Sequence, residues 1–200
     1  MSETLFVTTN WLNDHLQDDN LRIIDIRGRV LPATEPPPHY KSHRSDYDEV
    51  HIPGAVFVDW TTDIVEPGSP SYDVANPERY AALMSRLGID ANTQLVAYDD
   101  ANGMFAARLW WTLRYYGHEQ VAVLDGGWQK WMAEDRPVTR DVPDIALTEF
   151  VPRTNPSLRV TADDILQKGG LLLDVRSGAE FAGEASRASR MGHIPGAVNL

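Results

Sequence analysis

The sequence contains no cysteine among its 200 residues. This absence excludes a disulfide scaffold, a thiolate zinc site and a cysteine nucleophile within these residues. Basic residues are also scarce, because 18 Lys and Arg stand against 29 Asp and Glu and give a formal net charge of −11. A chain of this charge repels phosphate backbones, so we expect no nucleic-acid partner.

Long apolar runs are missing as well. The most apolar stretches, such as residues 171–175, have the length of a strand and fall far short of the roughly 20 residues that a membrane-spanning helix needs. The N-terminal segment has neither a basic start nor a long apolar run, so no secretory signal is expected. The sequence therefore predicts a cytoplasmic protein without a membrane partner.

Strand-like and helix-like segments alternate along the chain. Short apolar runs predict strands at residues 21–26, 55–58, 94–98 and 120–124. Between them, helical spacing and terminal Pro and Gly signals predict helices at residues 77–87 and 103–116. Strands separated by helices are typical of βαβ units, so we predict an α/β fold with a mostly parallel sheet flanked by helices.

Two motifs occur twice in the same order. The first is an apolar run that ends in Asp-x-Arg, and the second is the string HIPGAV. Their polar residues are Asp25, Arg27 and His51 in the first copy and Asp174, Arg176 and His193 in the second. For these six residues we favour a structural role, in which the carboxylates and arginines anchor loops, over a catalytic one.

The separation between the copies is the length of a domain rather than of a short repeat. We therefore expect a duplicated fold whose second copy is truncated. The predicted limits are a first domain at residues 1–136, a proline-rich linker at residues 137–158 and an incomplete second domain at residues 159–200.

Five potential metal ligands crowd one stretch of the chain: His39, His43, Asp46, Asp48 and His51. The stretch follows a triple proline and has no apolar periodicity, so we predict that residues 28–47 form a loop without regular structure. A solvated loop is favoured over a metal site here, and we expect neither a metal nor a cofactor. A metal-dependent hydrolase remains an alternative, which bound metal in the purified protein would reveal.

The order of motifs resembles the two-domain (tandem) rhodanese family, whose members are thiosulfate and 3-mercaptopyruvate sulfurtransferases. The resemblance rests on both Asp-x-Arg and HIPGA pairs, together with VAYDD, ARLWW and LDGGWxxW at residues 96–100, 107–111 and 124–131. It implies a duplicated rhodanese-like parallel sheet flanked by helices. It also implies transfer of sulfane sulfur from a small donor to a thiophilic acceptor through a cysteine persulfide, with no cofactor.

The resemblance also implies roles for individual residues. The catalytic cysteine would lie in the second domain beyond residue 200, so the chain by itself is expected to be inactive. Asp99 or Asp100 matches the loop position that is non-catalytic in the first domain. Arg187 and Arg190 match the region of a substrate-binding arginine. Glu180 stands at the position of a second substrate-binding arginine of the family. The competing hypothesis is a cysteine-free rhodanese-like binding or regulatory module without catalysis.

Overall fold

The computed structural model of the chain describes residues 5–32, 34–69 and 72–200. The chain divides into two units, of which the first contains the residues up to Arg29 together with Tyr40–Pro156. The second contains Val30–His39 and Ser157–Leu200. Residues 137–156 thus belong to the first unit, and the domain limits expected from the sequence stay a prediction.

The strands are short, and most of them lie in the first unit. They are β1 (Phe6–Val7), β2 (Leu21–Asp25), β3 (Gly28–Val30), β4 (Tyr40–Ser42), β5 (Ala55–Phe57), β6 (Gln94–Tyr98), β7 (Val121–Leu124), β8 (Leu173–Asp174) and β9 (Val198–Asn199). The helices are α1 (Thr9–Asp14), α2 (Arg44–Glu49), α3 (Pro77–Arg86), α4 (Met104–Tyr115), α5 (Gly127–Ala133), α6 (Ala162–Lys168) and α7 (Gly178–Ala182). A 3₁₀ turn covers Pro156–Leu158.

A five-stranded sheet with the order β1-β7-β6-β2-β5 forms the centre of the first unit. All of its pairings are parallel, and the register places Ile24 beside Ala97 and Asp25 beside both Tyr98 and Phe57. The central strands are buried on both faces because helices cover the sheet on each side, as parallel sheets require. The predicted α/β fold with a parallel sheet flanked by helices is confirmed.

Successive residues of a strand point to opposite faces, so the sheet separates two groups of helices. On one face a core cluster combines Ile23 and Val96 with Leu12 of α1, Tyr47 of α2 and Trp131 of α5. On the other face α4 packs against β6 and β7. Helix α3 is tied to α4 there, because the buried Tyr80 hydroxyl lies 2.9 Å from the Thr112 hydroxyl.

Capping residues set where the helices begin. The Thr8 hydroxyl accepts a hydrogen bond from the Trp11 amide, so α1 begins at Thr9. The Asn76 side chain caps α3, whose first residue is Pro77, as the sequence predicted. These local signals explain why helix positions could be predicted within a few residues.

The prediction of an irregular loop at residues 28–47 is wrong. The segment contains β3 and β4, which form a two-stranded sheet, and the first residues of α2. These elements have only three to six residues each, too few to show a periodicity in the sequence. Pairing and packing stabilise them, since short elements are marginal on their own.

The second unit holds the parallel pair β8 and β9 together with α6 and α7. Helix α6 begins with a capping box in which Thr161 and Asp164 satisfy each other's backbone N–H groups. Apolar side chains of this unit are open to solvent, for example Leu171 and Val175, which are 79% and 78% exposed. Across the described part of the chain, every helix is too short or too polar to cross a bilayer.

Candidate functional site at the carboxyl ends of the strands

Asp25 and Arg27 form a buried ion pair where β2 ends. The Asp25 carboxylate accepts hydrogen bonds from the Arg27 Nε at 2.9 Å and from the Arg27 backbone N–H at 3.0 Å. The Arg27 Nη2 donates to the Val50 carbonyl at 2.7 Å, and the guanidinium lies 4.2 Å from the centroid of the Trp128 ring. We call this Asp-x-Arg arrangement, with its bond to the residue before HIPGA, the clip.

A tyrosine of the neighbouring strand completes the environment of Asp25. The Tyr98 hydroxyl donates to Asp25 at 2.6 Å and accepts from the Ile52 N–H at 3.3 Å. Burial raises the pKa of the Asp25 carboxyl above its usual value, and Arg27 and the Tyr98 hydroxyl oppose this rise. Burial, together with the negative charge of Asp25, holds the pKa of Tyr98 well above its usual range, so this hydroxyl stays a donor.

His51 of the first HIPGA motif is fully buried in a packing role. Its ring stacks on Tyr47 at a centroid distance of 4.0 Å. Nδ1 lies 2.7 Å from the Tyr47 carbonyl oxygen, and Nε2 lies 3.2 Å from the Asp141 carbonyl oxygen. Because both nitrogens face backbone carbonyl oxygens and the ring is fully buried, neither is accessible to a substrate or a metal ion.

The second unit repeats these contacts residue by residue. Arg176 binds the Asp174 carboxylate through Nε at 2.9 Å, and its Nη2 donates to the carbonyl of Gly192 at 3.0 Å. His193 stacks on Phe181 at 3.7 Å and faces the carbonyl oxygen of Phe181, just as His51 faces that of Tyr47. The arrangement of Asp174, Arg176 and Gly192 is thus a second clip. It is more exposed to solvent than the first, because the Arg176 side chain is 42% exposed whereas that of Arg27 is 2% exposed.

The loop after β6 encloses the carboxylate of Asp99, which is almost fully buried. Oδ1 accepts hydrogen bonds from the N–H groups of Ala101 at 2.9 Å and Gly103 at 2.8 Å. Oδ2 accepts from those of Phe105 at 2.7 Å and Ala106 at 2.9 Å. We call these four donors the amide ring.

The amide ring explains why an acidic residue is stable at this position. Phe105 and Ala106 lie in the first turn of α4, whose N–H groups lack intrahelical partners and favour negative charge. An arrangement of this kind is a general anion cradle, similar in principle to the helix N-termini that bind phosphate. In this chain the anion is the chain's own carboxylate. The ring could not be predicted from the sequence, because its four donors are backbone N–H groups, which every residue except proline has.

Asp100 points away from the ring and joins a different group. Its Oδ2 lies 2.7 Å from Nδ1 of His43, and its Oδ1 accepts from the Gly28 N–H at 3.1 Å. The structure therefore separates two neighbouring acids that the sequence treats alike. Only Asp99 lies inside the ring. This geometry favours Asp99 over Asp100 as the residue at the non-catalytic loop position that the resemblance implies.

The five potential metal ligands of the sequence do not form one cluster. His51 is buried as described, Asp48 accepts from Arg44 at 2.9 Å, and Nε2 of His39 faces the Glu35 carbonyl at 2.8 Å. Only His43 and Asp46 remain close, with 3.6 Å between Nδ1 and Oδ2. His39 and His43 do not share a helix face in spite of their i, i+4 spacing, because α2 begins at Arg44.

The two arginines predicted to bind substrate lie in the second unit. Arg187 donates through Nη1 to Glu180 at 2.8 Å and through Nε to the Leu31 carbonyl at 3.0 Å. Arg190 is exposed, and its carbonyl accepts from the Ser186 hydroxyl at 3.2 Å. A substrate anion at Arg187 would have to compete with the Glu180 carboxylate, and the substrate-binding roles of both residues stay a prediction.

Comparison with known proteins places these features in context. The family model for the rhodanese-like domain matches residues 8–134. The chain is 36% identical to the sulfur carrier protein TtuD of Thermus thermophilus, over 98% of this chain and 69% of that protein. It is 33% identical to the 3-mercaptopyruvate sulfurtransferase of Escherichia coli, over 100% of this chain and 72% of that protein.

Solved structures give a consistent result. The crystal structure of SseA from Escherichia coli, described as having the rhodanese fold of 3-mercaptopyruvate sulfotransferases, superposes with a TM-score of 0.84 at 34% identity. The match covers 98% of this chain and 74% of that one. The 3-mercaptopyruvate sulfurtransferase from Leishmania major, at 24% identity and a TM-score of 0.81, shares the fold.

Proposed function

Because the chain belongs to the rhodanese family, we propose that it forms the non-catalytic rhodanese-like domain and the beginning of the second domain of a sulfurtransferase. The enzyme would take sulfane sulfur from thiosulfate or 3-mercaptopyruvate and pass it to a thiophilic acceptor. The named functions of the relatives support this assignment, since they include a sulfur carrier protein and a 3-mercaptopyruvate sulfurtransferase.

The observation that carries the proposal is the position of Asp99 in the amide ring. A sulfurtransferase of this kind needs a thiolate whose negative charge is stabilised by loop amides and by a helix N-terminus. The first unit has such a ring, and a carboxylate occupies it in place of a thiolate. Asp99 cannot accept and release sulfur, so the ring in this unit has a structural role.

The chemistry would then occur at a cysteine outside these 200 residues. With thiosulfate, the thiolate attacks the outer sulfur, the S–S bond breaks and sulfite leaves with the electron pair. With 3-mercaptopyruvate, it attacks the thiol sulfur, the C–S bond breaks, and the electron pair leaves on the enolate of pyruvate, which the proton of that thiol converts to pyruvate. The resulting persulfide transfers its outer sulfur to the acceptor and regenerates the thiolate. Arg190, and Arg187 after displacement of Glu180, are the residues that we propose to attract the donor's negative charge.

Sulfur transfer to cyanide tests this proposal, with thiosulfate and 3-mercaptopyruvate supplied separately. The 200-residue chain should produce no thiocyanate above background, whereas the product of the whole gene should do so and should lose activity after thiol alkylation. A whole-gene product without cysteine, or one with cysteine that accepts sulfur from neither donor, would contradict the proposal. The first of these two results would favour the cysteine-free binding module.

A further inference from the structure

Three metal-ligating side chains converge beside the clip, and the proposed sulfur transfer uses none of them. They are His43, Asp46 and Asp100, whose Nδ1 and carboxylate oxygens all lie within 4.8 Å of one another. His43 and Asp46 flank the start of α2, while Asp100 follows β6, so the group joins distant parts of the first unit. Among the residues the structure describes, this is the group of His and acidic side chains close enough to share an ion.

The distances between these atoms suit a shared cation. Zn²⁺ with bonds of about 2.1 Å in tetrahedral geometry separates its ligand atoms by about 3.4 Å. Nδ1 of His43 is 2.7 Å from Asp100 Oδ2 and 3.6 Å from Asp46 Oδ2, so the observed separations lie on either side of that value. The oxygens of Asp46 and Asp100 lie within 4.8 Å of each other, so rotations of these side chains would bring all three atoms to coordination distance.

The surrounding backbone holds two of the three ligands in place. The His43 N–H donates to the Arg27 carbonyl at 3.1 Å, and the Gly28 N–H donates to Oδ1 of Asp100 at 3.1 Å. These contacts hold the backbone at His43 and one oxygen of Asp100, and they leave Oδ2 of Asp100 facing Nδ1 of His43. Such outer contacts orient metal ligands and are a common part of metal sites.

We propose that His43, Asp46 and Asp100 form a site for a first-row divalent cation of the Zn²⁺ class. One imidazole and two carboxylates match the N and O donor set of such ions, whereas Mg²⁺ and Ca²⁺ prefer oxygen ligands alone. The two carboxylates neutralise the charge of the ion. Three protein ligands leave at least one coordination position open, so water or a small anion can bind there, as in catalytic rather than structural zinc sites.

The site is independent of the proposed sulfur transfer. The site lies at the carboxyl ends of β2 and β6, which is the edge at which parallel α/β sheets bind ligands. The open position would therefore face the same edge of the sheet as the amide ring. Cysteine plays no part, because the chain has none, so a zinc signal from this protein must come from imidazole and carboxylate groups.

Calorimetric titration of the chain with ZnCl₂ and, separately, with MgCl₂ tests the proposal. We expect one Zn²⁺ per chain and much weaker binding of Mg²⁺. Asp46→Asn should weaken Zn²⁺ binding at least about tenfold, and His43→Gln should do the same. Asp46→Asn is the decisive variant, because the His43–Asp100 contact and the fold do not depend on this half-exposed carboxylate.

Asp48→Asn is the matched control, because Asp48 lies on the same helix and pairs with Arg44 rather than with the group. It should bind Zn²⁺ as the unaltered chain does. Zn²⁺ binding that is absent, or that Asp46→Asn leaves unchanged, would show that the three residues form an ion pair only. Equal weakening by Asp48→Asn would show nonspecific binding to surface carboxylates and would also overturn the proposal.

Discussion

The Tyr98 hydroxyl donates a 2.6 Å hydrogen bond to the Asp25 carboxylate, across paired positions of β6 and β2. Both side chains are fully buried, so water cannot replace either partner. The bond links the strand that carries the clip to the strand that leads into the amide ring. The two parts of the candidate site are therefore held by one buried contact at the carboxyl edge of the sheet.

Tyr98→Phe should destabilise the protein by about 2 to 3 kcal/mol, because a hydrogen bond to a buried charge is lost and the Ile52 N–H loses its acceptor. The free energy of unfolding from urea titration measures this change. Tyr115→Phe is the control, because Tyr115 is only half-buried and its ring contacts to Trp111 and Tyr116 remain available to phenylalanine. Similar losses in the two variants would show that the Asp25–Tyr98 bond has no special weight.

Gly127→Ala should disturb the amide-ring loop directly. Gly127 has φ of +52°, and an added Cβ would lie 2.5 Å from the Asp99 carbonyl oxygen. The strain of a left-handed residue costs about 1 to 2 kcal/mol, and the contact with Asp99 adds to it. We expect a total loss of about 3 kcal/mol or more in the free energy of unfolding, consistent with a backbone clash.

Gly68→Ala isolates the effect of the contact. Gly68 has φ of +75°, but an added Cβ would meet no atom of the described residues within 4 Å. The free energy of unfolding of this variant should therefore fall only by the cost of left-handed strain, about 1 to 2 kcal/mol. If Gly127→Ala were no more destabilising than Gly68→Ala, the close approach of Gly127 to Asp99 would be contradicted.

Stability should fall as the pH drops from 7.5 towards 5.5, in part because of His118. Burial lowers the pKa of His118, and its Nε2 is buried without a hydrogen-bond partner in the described part of the chain. The unfolded chain, with its ordinary imidazole pKa, then binds more protons than the native state. The stability that a neutral His118 contributes is therefore fully present above the unfolded pKa and is lost as the pH falls. Urea titrations across this range should show a shallower pH dependence for His118→Gln than for the unaltered chain. Identical slopes would contradict a buried neutral imidazole.

The sequence was most informative where strand and helix signals were local. The buried run at residues 94–98 was placed within its observed limits, and Asn76-Pro77 marked the start of α3 correctly. Residues 28–47 were assigned wrongly, because β3, β4 and α2 depend on packing partners that are distant in sequence. Family membership could be recognised from the motifs, and the comparisons confirmed it.

The candidate site was harder to predict than the fold. The two acids at positions 99 and 100 look equivalent in the sequence, and only the loop backbone decides which one enters the amide ring. The contact between His43 and Asp100 likewise joins residues that are 57 positions apart. The pairing of Arg187 with Glu180 could not be predicted from the sequence either, because a charged loop offers many possible partners.

The central claim is that Asp99 occupies the sulfur-bearing position of a rhodanese-type amide ring. Asp99→Cys is the most direct test, because the ring should lower the pKa of the new thiol and stabilise its persulfide. Asp100→Cys, one residue away but outside the ring, is the matched control, and circular dichroism checks that both variants fold.

After incubation with thiosulfate, intact-protein mass spectrometry should show the mass of one added sulfur atom on Asp99→Cys, removable by cyanide, and none on Asp100→Cys. A folded Asp99→Cys that gains no sulfur, or an equal gain on both variants, would contradict the account.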